Sequence, residues 1–464
     1  MSEEPTIAAL ATAPAPAGIA VIRVSGPRTR KALKTLFLGS HSPTKHPREL
    51  CYGKILDHRS KEVIDHALVA FFPSPHSYTG EDVAEFQMHG SLLLVQKILR
   101  SLYSFGISPA EAGEFTKRAF LNGKLDLVQA EAIGDLISAS SDEALRVAAS
   151  QMKGKLSDVV LTLGEPLRNS LAEIEANIDF PDEDIEPESL EKLSLTLGEL
   201  RTKLVGLAST FDSGVILKEG FRVLLCGPPN AGKSSILNML LGTQRAIVTN
   251  VAGTTRDLLE EQATIAGYKY IFCDSAGITE TKDEVEKIGI ELAKERIPWA
   301  NLILMVVDAS QERIDGDFPW RETLKNVRAV AKRVWLIVNK IDLLPEAITR
   351  FAEESRNCDQ VFYLSAKTKE GVDFLREGLV EEVASSMPDA SASSALVTNE
   401  RHRDCLIRAS KALDRCVNAI VDKMPLEFVS AELRAALTAL EEIVGKTWTE
   451  DILGRIFSKF CIGK

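Results

Sequence analysis

Arg222-Val-Leu-Leu-Cys226 runs directly into Gly227-Pro-Pro-Asn-Ala-Gly-Lys-Ser234, and an apolar helical run follows. This order of strand, glycine-containing loop and helix is the P-loop pattern in its expected context. The glycines let backbone N–H groups curl around phosphates, and the helix N-terminus adds the positive end of its dipole. We expect Lys233 to reach the β- and γ-phosphates of a nucleotide and the Ser234 hydroxyl to ligate Mg²⁺.

The base of this nucleotide is predicted from two motifs further along the chain. Asn339-Lys-Ile-Asp342 follows the apolar strand 334–338, and Ser365-Ala-Lys367 follows as the usual third support of the base. The Asp342 carboxylate can accept hydrogen bonds from the N1–H and the exocyclic amine of guanine. Adenine presents no equivalent pair of donors, and a wrong base would leave the carboxylate unpaired. These motifs predict a site for GTP.

The phosphate side is completed by two loops. Asp274-Ser-Ala-Gly277 follows the strand 270–273 and would place a carboxylate near Mg²⁺ and a glycine N–H near the γ-phosphate. The polar loop TNVAGTTRD, residues 249–257, is of the switch I type, and Thr255 is expected to supply the second hydroxyl on Mg²⁺. The residues that we predict to bind GTP are Asn230, Ala231, Gly232, Lys233, Ser234, Ser235, Thr249, Asn250, Val251, Ala252, Gly253, Thr254, Thr255, Asp274, Ser275, Ala276, Gly277, Asn339, Lys340, Asp342, Ser365, Ala366 and Lys367.

The group that activates water is not evident from these motifs. Many small GTPases carry a glutamine directly after the DxxG motif, but this chain has Ile278, whose apolar side chain cannot polarise water. Residues 279–288 offer four carboxylates instead, and taken singly each is typical of an exposed charge. The four are Glu280, Asp283, Glu284 and Glu286.

The length of 464 residues suggests about three domains. We predict an α/β fold with an N-terminal α/β domain at 1–121, a helical domain in two parts at 122–217 and 386–464, and a Ras-like G domain with a mainly parallel sheet inserted between them at 218–385. The long helical periodicity from Leu125 ends in the acidic run 179–184, which is typical of a solvated loop although it could hold a metal.

Charge and composition narrow the class of protein. The net charge is −11, so RNA contact is expected to be local or shared with a partner rather than spread over a basic surface. No apolar run approaches the roughly 18 to 20 residues of a membrane helix. The N-terminus lacks a signal-peptide pattern, and the seven cysteines show no Cys-x-x-Cys spacing. These features are typical of a protein of the reducing cytosol.

Further motifs are spread along the whole chain: GIAVIRVSG (18–26), YTGED (78–82), GEF (113–115), AFLNGKLD (119–126), DFPD (179–182) and the terminal CIGK (461–464). With the G-domain motifs and the loop TNVAGTTRD, the sequence resembles the tRNA modification GTPase family MnmE, also called TrmE. The resemblance implies that an FAD-containing partner, MnmG (GidA), acts with the chain to add a (carboxymethyl)aminomethyl group to C5 of the wobble uridine of certain tRNAs. The chain reads DSAG where the family commonly has DTAG, and its loop 13–17 has little of the usual glycine and arginine.

The resemblance also assigns roles in hydrolysis. The family is activated by K⁺-dependent pairing of two G domains, and a K⁺ near the phosphates would take the place of an arginine finger. Asn230 matches the asparagine that ligates K⁺, and the carbonyls of Thr249, Val251 and Thr254 match the other protein ligands. Glu286 matches the glutamate that orients the attacking water, with Lys233 as the other catalytic residue of the G domain.

For the N-terminal domain, the resemblance implies homodimerisation and binding of a tetrahydrofolate derivative (a 5-formyl- or methylene-tetrahydrofolate). Arg23, Glu81, Lys124 and Lys464 match the folate-contacting positions, and basic groups with one carboxylate suit an acidic tail and an amide-bearing pterin. Cys461 matches a position near the modification site. A catalytic role and a buried structural role both stay open for this thiol, because its exposure is not readable from sequence.

Two other functions remain as alternatives. One is a ribosome-assembly or switch GTPase, although such proteins typically carry an RNA-binding module or a second G domain, and neither is visible in this sequence. The other is a stand-alone folate enzyme with a regulatory GTPase domain, which would turn over folate without a partner.

Overall fold

A computed structural model describes residues 4–179, 187–242, 260–274, 296–311, 318, 320–344, 351, 356, 358–387 and 395–464. The chain divides into two compact units. The first contains Met1–Ile137, Gln151–Thr202 and Cys405–Lys464, and the second contains Ser138–Ser150 and Lys203–Asp404.

The strands and helices alternate as an α/β chain, with a mainly helical stretch on either side of the second sheet. The strands are β1 (Ile7–Leu10), β2 (Ala17–Ser25), β3 (Phe37–Gly39), β4 (Cys51–Leu56), β5 (Val63–Phe72), β6 (Val83–Gly90), β7 (Ser108–Pro109), β8 (Phe221–Cys226), β9 (Glu260–Ile265), β10 (Tyr268–Asp274), β11 (Leu302–Asp308), β12 (Val334–Asn339) and β13 (Gln360–Tyr363). The helices are α1 (Thr29–Leu36), α2 (Leu92–Ser104), α3 (Glu114–Leu121), α4 (Leu127–Ser138), α5 (Asp142–Met152), α6 (Lys155–Asp179), α7 (Pro187–Ser209), α8 (Phe211–Glu219), α9 (Lys233–Leu241), α10 (Arg321–Arg328), α11 (Val372–Ser385), α12 (Glu400–Val421), α13 (Leu426–Val444) and α14 (Glu450–Phe457).

The N-terminal part of the first unit is built on a sheet in the order β3-β4-β5-β6-β2-β1-β7. All its pairs are antiparallel except β1 with β7. Helices α1 and α2 cover one face, where Val24, Val69 and Phe86 are buried. On the other face Phe115 packs with Ile7 near the β1 end of the sheet.

The apolar runs 19–24 and 67–72, which are typical of buried strands, lie in β2 and β5, but neither strand is buried on both faces. Ile19 is 64% exposed and Leu68 is 38% exposed. An antiparallel sheet covered by helices on one side leaves alternate residues of each strand on its open face. The run 92–102, which has the spacing of Leu and Ile typical of a helix, lies in α2.

The helical part of the first unit contains the pair α6 and α13, which lie along each other. Leu167 and Ile174 on α6 and Leu433 and Leu440 on α13 are buried, so the apolar stripe of α13 faces a core. The helical pattern predicted from Leu125 onward corresponds to three helices, α4, α5 and α6. Among these residues no regular helix forms at 139–141, and α5 and α6 are separated at Gly154, which has a φ of 83°.

The second unit contains a sheet in the order β13-β12-β11-β8-β10-β9. Every pair is parallel except β9 with β10, as the alternation of strands and helices predicted. Both faces are buried: Val223 and Ile337 lie in one core, and Leu224 and Val338 lie in the other. Because parallel strands end at one edge, the carboxyl ends of β8, β10, β11 and β12 meet there. No helix within the described ranges has both the length and the apolar character needed to cross a membrane.

Candidate active site

The P-loop begins where β8 ends and is held by its own backbone. Gly227 has a φ of 140°, and a Cβ there would lie 2.0 Å from the carbonyl oxygen of Val306, so only glycine fits. Lys233 opens α9, is 6% exposed, and donates through Nζ to the carbonyls of Gly227 and Pro228 at 2.8 and 3.0 Å. Burial lowers the pKa of Lys233, and the charge of the nearby Asp274 offsets part of that shift. The loop therefore presents an ammonium group at the centre of its curve.

The curvature of the loop comes from two left-handed residues. Asn230 has a φ of 61° and Gly232 a φ of 95°, directly before the first turn of α9. Left-handed residues next to a helix N-terminus turn successive backbone N–H groups toward one point, which suits an anionic phosphate. Asn230 is exposed on this loop, so its amide can reach a ligand or an ion.

The two described residues predicted near Mg²⁺ lie together. Ser234 Oγ donates to Asp274 Oδ2 at 2.8 Å, and Asp274 is 8% exposed at the end of β10. A hydroxyl beside a carboxylate supplies the hard oxygen donors that Mg²⁺ prefers. The donor set thus fits the ion, which would neutralise charge on the β- and γ-phosphates when it is bound.

One side chain, that of Asn339, connects the base-binding end to the P-loop through hydrogen bonds. Asn339, which is 1% exposed, donates through Nδ2 to the carbonyl of Ala231 at 2.8 Å and accepts the N–H of Ala366 at 3.0 Å. The buried Ser365 hydroxyl donates to Asp342 Oδ1 at 2.7 Å. Asp342 is exposed and oriented, as a carboxylate that pairs with the edge of guanine needs to be.

Several predicted residues lie outside the described ranges. These are the loop from Thr249 to Thr255, the run Ser275 to Gly277, and Ile278 and Glu286. Of the acidic run 179–184, only Asp179 is described, as the last residue of α6. The roles assigned to these residues stay predictions.

In the first unit, the predicted folate residue Arg23 lies between two aromatic rings. Its guanidinium carbon is 5.1 Å from the centroid of Tyr78 and 5.7 Å from that of Phe115. Arg23 Nε and Nη2 donate to Glu85 Oε1 at 3.0 and 2.9 Å. The Tyr78 hydroxyl is within 2.9 Å of Thr116 Oγ1, and burial raises its pKa. Arg23 is thus a fixed cation beside flat apolar surfaces.

Glu81 is held by an arginine that the sequence did not predict. Arg118 is 3% exposed as a residue, and its Nη1 donates to both oxygens of Glu81 at 3.1 and 3.2 Å. Ser25 Oγ donates to Glu81 Oε2 at 2.6 Å, and Arg118 Nη2 donates to Glu114 at 2.6 Å. One buried cation therefore orients two carboxylates.

The C-terminal tail reaches the same region. The carbonyl of Lys464 accepts the N–H of Phe115 at 3.2 Å, and a Cβ on Gly463, whose φ is 98°, would lie 2.0 Å from the Leu10 carbonyl oxygen. Cys461 is exposed, so the buried structural role considered for its thiol is wrong. The Lys464 backbone is thereby hydrogen-bonded to Phe115, the residue whose ring contacts Arg23.

Lys124 lies beside Gly80, the residue that precedes Glu81. A Cβ on Gly80 would be 3.5 Å from Lys124 Cδ, and Lys124 Nζ donates to the Pro75 carbonyl at 3.0 Å. Two links between the predicted folate residues are therefore indirect: Lys464 and Arg23 both contact Phe115, and Lys124 lies beside the residue that precedes Glu81. Cationic and anionic groups beside aromatic rings fit a flat, amide-bearing ligand with an acidic tail.

Comparisons with known proteins cover the full chain. Residues 127–461 match the family described as MnmE helical domain, and residues 6–124 match GTP-binding protein TrmE N-terminus. The chain is 43% identical to the tRNA modification GTPase MnmE of Alkaliphilus metalliredigens over 99% of both chains. It is also 43% identical to that of Akkermansia muciniphila and 41% identical to that of Clostridioides difficile, again over 99% of each chain.

The chain belongs to the MnmE family of GTPases. The resemblance predicted from the sequence motifs is therefore confirmed, as is the mixed α/β fold with its inserted P-loop GTPase domain. The sequence motifs did not predict that Arg118, Glu85 and Tyr78 contact the candidate folate residues of the N-terminal domain. Arg118 follows Glu114 at helical spacing, which could have indicated an ion pair, but nothing local indicates its contact with Glu81, 37 residues away.

Proposed function

We propose that this MnmE-family GTPase couples GTP hydrolysis to modification of tRNA. With an FAD-containing MnmG partner, it adds a (carboxymethyl)aminomethyl group at C5 of the wobble uridine. Support comes from the full-length similarity to tRNA modification GTPases and from the prearranged nucleotide site. The residues of this chain bind GTP, orient it and hold its phosphates, while the partner's flavin supplies the redox chemistry that no residue of a P-loop site provides.

The observation that carries this proposal is the oriented Asp342 carboxylate, which Ser365 fixes and Asn339 ties to the phosphate loop. A carboxylate accepts two hydrogen bonds from the edge of guanine, whereas an amide at that position donates one. Asp342→Asn should therefore bind xanthine, which has a carbonyl where guanine has its exocyclic amine. The substitution changes the nucleotide that drives the reaction without touching tRNA or the flavin partner.

The test supplies purified chain, the flavin partner, unmodified tRNA, a folate derivative and nucleotide, and measures the modified uridine by mass spectrometry. Wild type should modify tRNA with GTP but not with XTP, and Asp342→Asn should reverse that preference. Modification that proceeds without hydrolysable nucleotide, or without the partner, would contradict the proposal. Wild-type GTP hydrolysis stimulated by ribosomal subunits and unaffected by tRNA and partner would favour the ribosome-assembly alternative.

Hydrolysis is proposed to depend on K⁺ and on pairing of two G domains. Ile278 cannot orient water, so charge on the phosphates needs another cation, and Glu286 is proposed to orient the water. Asn230 supports this proposal because it is exposed at the tip of the P-loop in a left-handed conformation. Thr249, Val251 and Thr254 are the other proposed K⁺ ligands, through their carbonyls.

Hydrolysis should therefore be faster in KCl than in NaCl at equal ionic strength, and Asn230→Ala should remove the difference. Asn238→Ala, at an exposed position on α9, is the matched control and should keep it. Equal rates of the wild type in both salts would contradict the K⁺ proposal but leave GTP binding intact.

The N-terminal sheet is proposed to form a homodimer and to bind a tetrahydrofolate derivative. Its open face exposes Ile19, Leu38, Tyr52 and Leu68, and an apolar patch of this kind is typical of a protein interface. Tyr52 and Leu68 are directly opposite each other in the β4–β5 pair, so one change at each tests a single surface. Tyr52→Glu with Leu68→Glu should yield a monomer by light scattering, and a persistent dimer would exclude this face.

Folate binding is proposed to use Arg23, Glu81, Lys124 and Lys464. Arg23→Gln should weaken 5-formyltetrahydrofolate binding by about tenfold, since a charged hydrogen bond contributes about 1.5 kcal/mol or more. Calorimetric titration measures the change, and Arg59→Gln, at an exposed turn of the same domain, is the control. Equal affinity in the two variants would remove Arg23 from the site. Folate turnover by the chain alone would instead favour the stand-alone folate enzyme.

A further inference from the structure

Asp308 forms a set of hydrogen bonds at the base-binding end of the nucleotide site. It is the last residue of β11 and lies opposite Asn339 in the parallel pair with β12. Its Oδ2 accepts a hydrogen bond from Lys340 Nζ at 2.7 Å, and its Oδ1 accepts two from the N–H and hydroxyl of Ser310 at 2.9 and 2.7 Å. The carboxylate is therefore fixed through both of its oxygens.

The Lys340 side chain is consequently held at both ends. Its backbone has a φ of 65°, a left-handed conformation directly after β12, and its ammonium group is tied to the end of the neighbouring strand. The four-carbon stem thus crosses the carboxyl ends of β11 and β12, the edge at which α/β sheets bind ligands. Lys340 is two residues before Asp342, whose carboxylate is placed to pair with the edge of the base. A base bound by its edge needs apolar surface against its flat face, and a lysine stem can supply it.

We propose that Asp308 is a positioning residue for guanine recognition, holding the Lys340 stem as a wall against the face of the base. Asp308 acts through Lys340, so its loss should weaken nucleotide binding and leave the chemical step unchanged. The wall contacts the face of the base rather than its edge. Guanine and hypoxanthine nucleotides should therefore lose affinity by the same factor.

The charge state of Asp308 supports this role. Burial alone would raise the pKa of its carboxyl, but the hydrogen bonds from Lys340 and Ser310 and the charge of Lys340 bring it below its ordinary value. The carboxylate is therefore ionised throughout the neutral range. The side chains of Asp308 and Lys340 are 21% and 33% exposed. The pair is therefore better shielded from solvent than a fully exposed surface ion pair, which contributes little to stability.

The test measures dissociation constants of GDP and IDP for the full chain, with KM and kcat for GTP alongside. Asp308→Ala should weaken both diphosphates by about tenfold, which corresponds to about 1.4 kcal/mol, and should raise KM with kcat unchanged. The double variant with Lys340→Ala should bind no more weakly than Lys340→Ala alone, because both changes remove the same wall. Asp373→Asn, whose side chain is 90% exposed on α11, is the control and should match the wild type.

Three results would overturn the proposal. They are GDP affinity within twofold of wild type in Asp308→Ala, losses that add in the double variant, and a fall in kcat with unchanged affinity. If Asp308→Ala does not fold, Asp308→Asn and Ser310→Ala replace it, since each keeps the volume near that of the native side chain. Each should then weaken GDP and IDP by two- to fivefold, and unchanged affinity in both would equally refute the role of Asp308.

Discussion

Replacing Asn339 by alanine should separate the base-binding loop from the P-loop. The side chain is 1% exposed and makes two hydrogen bonds, one to the Ala231 carbonyl and one from the Ala366 N–H. Each such bond contributes about 1 kcal/mol net, and a buried group left without its partner costs about 1 to 3 kcal/mol. We expect the G domain to lose about 2 kcal/mol of unfolding free energy and GDP to bind about 30-fold more weakly.

The assay combines equilibrium titration with a fluorescent GDP and urea unfolding of the full chain. Asn339→Asp adds a directional check, because it keeps an acceptor for the Ala366 N–H but sets an oxygen against the Ala231 carbonyl. It should therefore bind GDP at least as weakly as Asn339→Ala. Asn326→Ala, exposed on α10, is the control. The reasoning fails if Asn339→Ala binds GDP within twofold of wild type while its stability is unchanged.

Four further predictions concern thiols and the N-terminal site. Burial raises the pKa of the Cys226 thiol to about 12, so Cys461 should react first with a thiol reagent at pH 8, and Cys226 only on unfolding. The raised pKa also means that the stability contributed by Cys226 is present below about pH 9 and is lost as pH rises toward 12, which unfolding midpoints across that range would detect. Arg118→Gln should cost about 3 kcal/mol of unfolding free energy, since it leaves Glu81 without its buried partner, and an unchanged urea midpoint would refute this. Gly463→Ala should displace the tail and weaken folate binding in calorimetry while GTP turnover by the same preparation stays constant.

The fold was largely predictable because its strongest patterns are local. The β8 strand, the P-loop and α9 follow one another in 21 residues, and each has its own signature in composition. The breaks in the helical stretch after Leu125 were harder to predict. Residues 139–141 and Gly154 interrupt a periodicity that continues on either side, and apolar spacing alone does not register such interruptions.

The candidate site was predictable in its residue types and much less in its connections. The motifs predict Asn339 and Asp342 as base-binding residues, but the bond from Asn339 to Ala231 spans 108 residues and has no local signature. The same holds in the N-terminal site, where Glu85 and Arg118 fix the predicted Arg23 and Glu81. Which side chains position a binding residue depends on contacts between distant segments of the folded chain. A local motif indicates only the residues expected to bind the ligand.

These connections imply that base and phosphate recognition are one event. Asn339 ties the loop that carries Asp342 to the carbonyl of Ala231, two residues before Lys233. A guanine that orders the base loop therefore also orders the P-loop backbone through a bond that is buried and short. A nucleotide with the wrong base should then bind its phosphates less well too, since the loop that curves around them loses this support. Guanine selectivity should thus appear in the hydrolysis rate at saturation as well as in affinity, because Lys233 is positioned by the same loop.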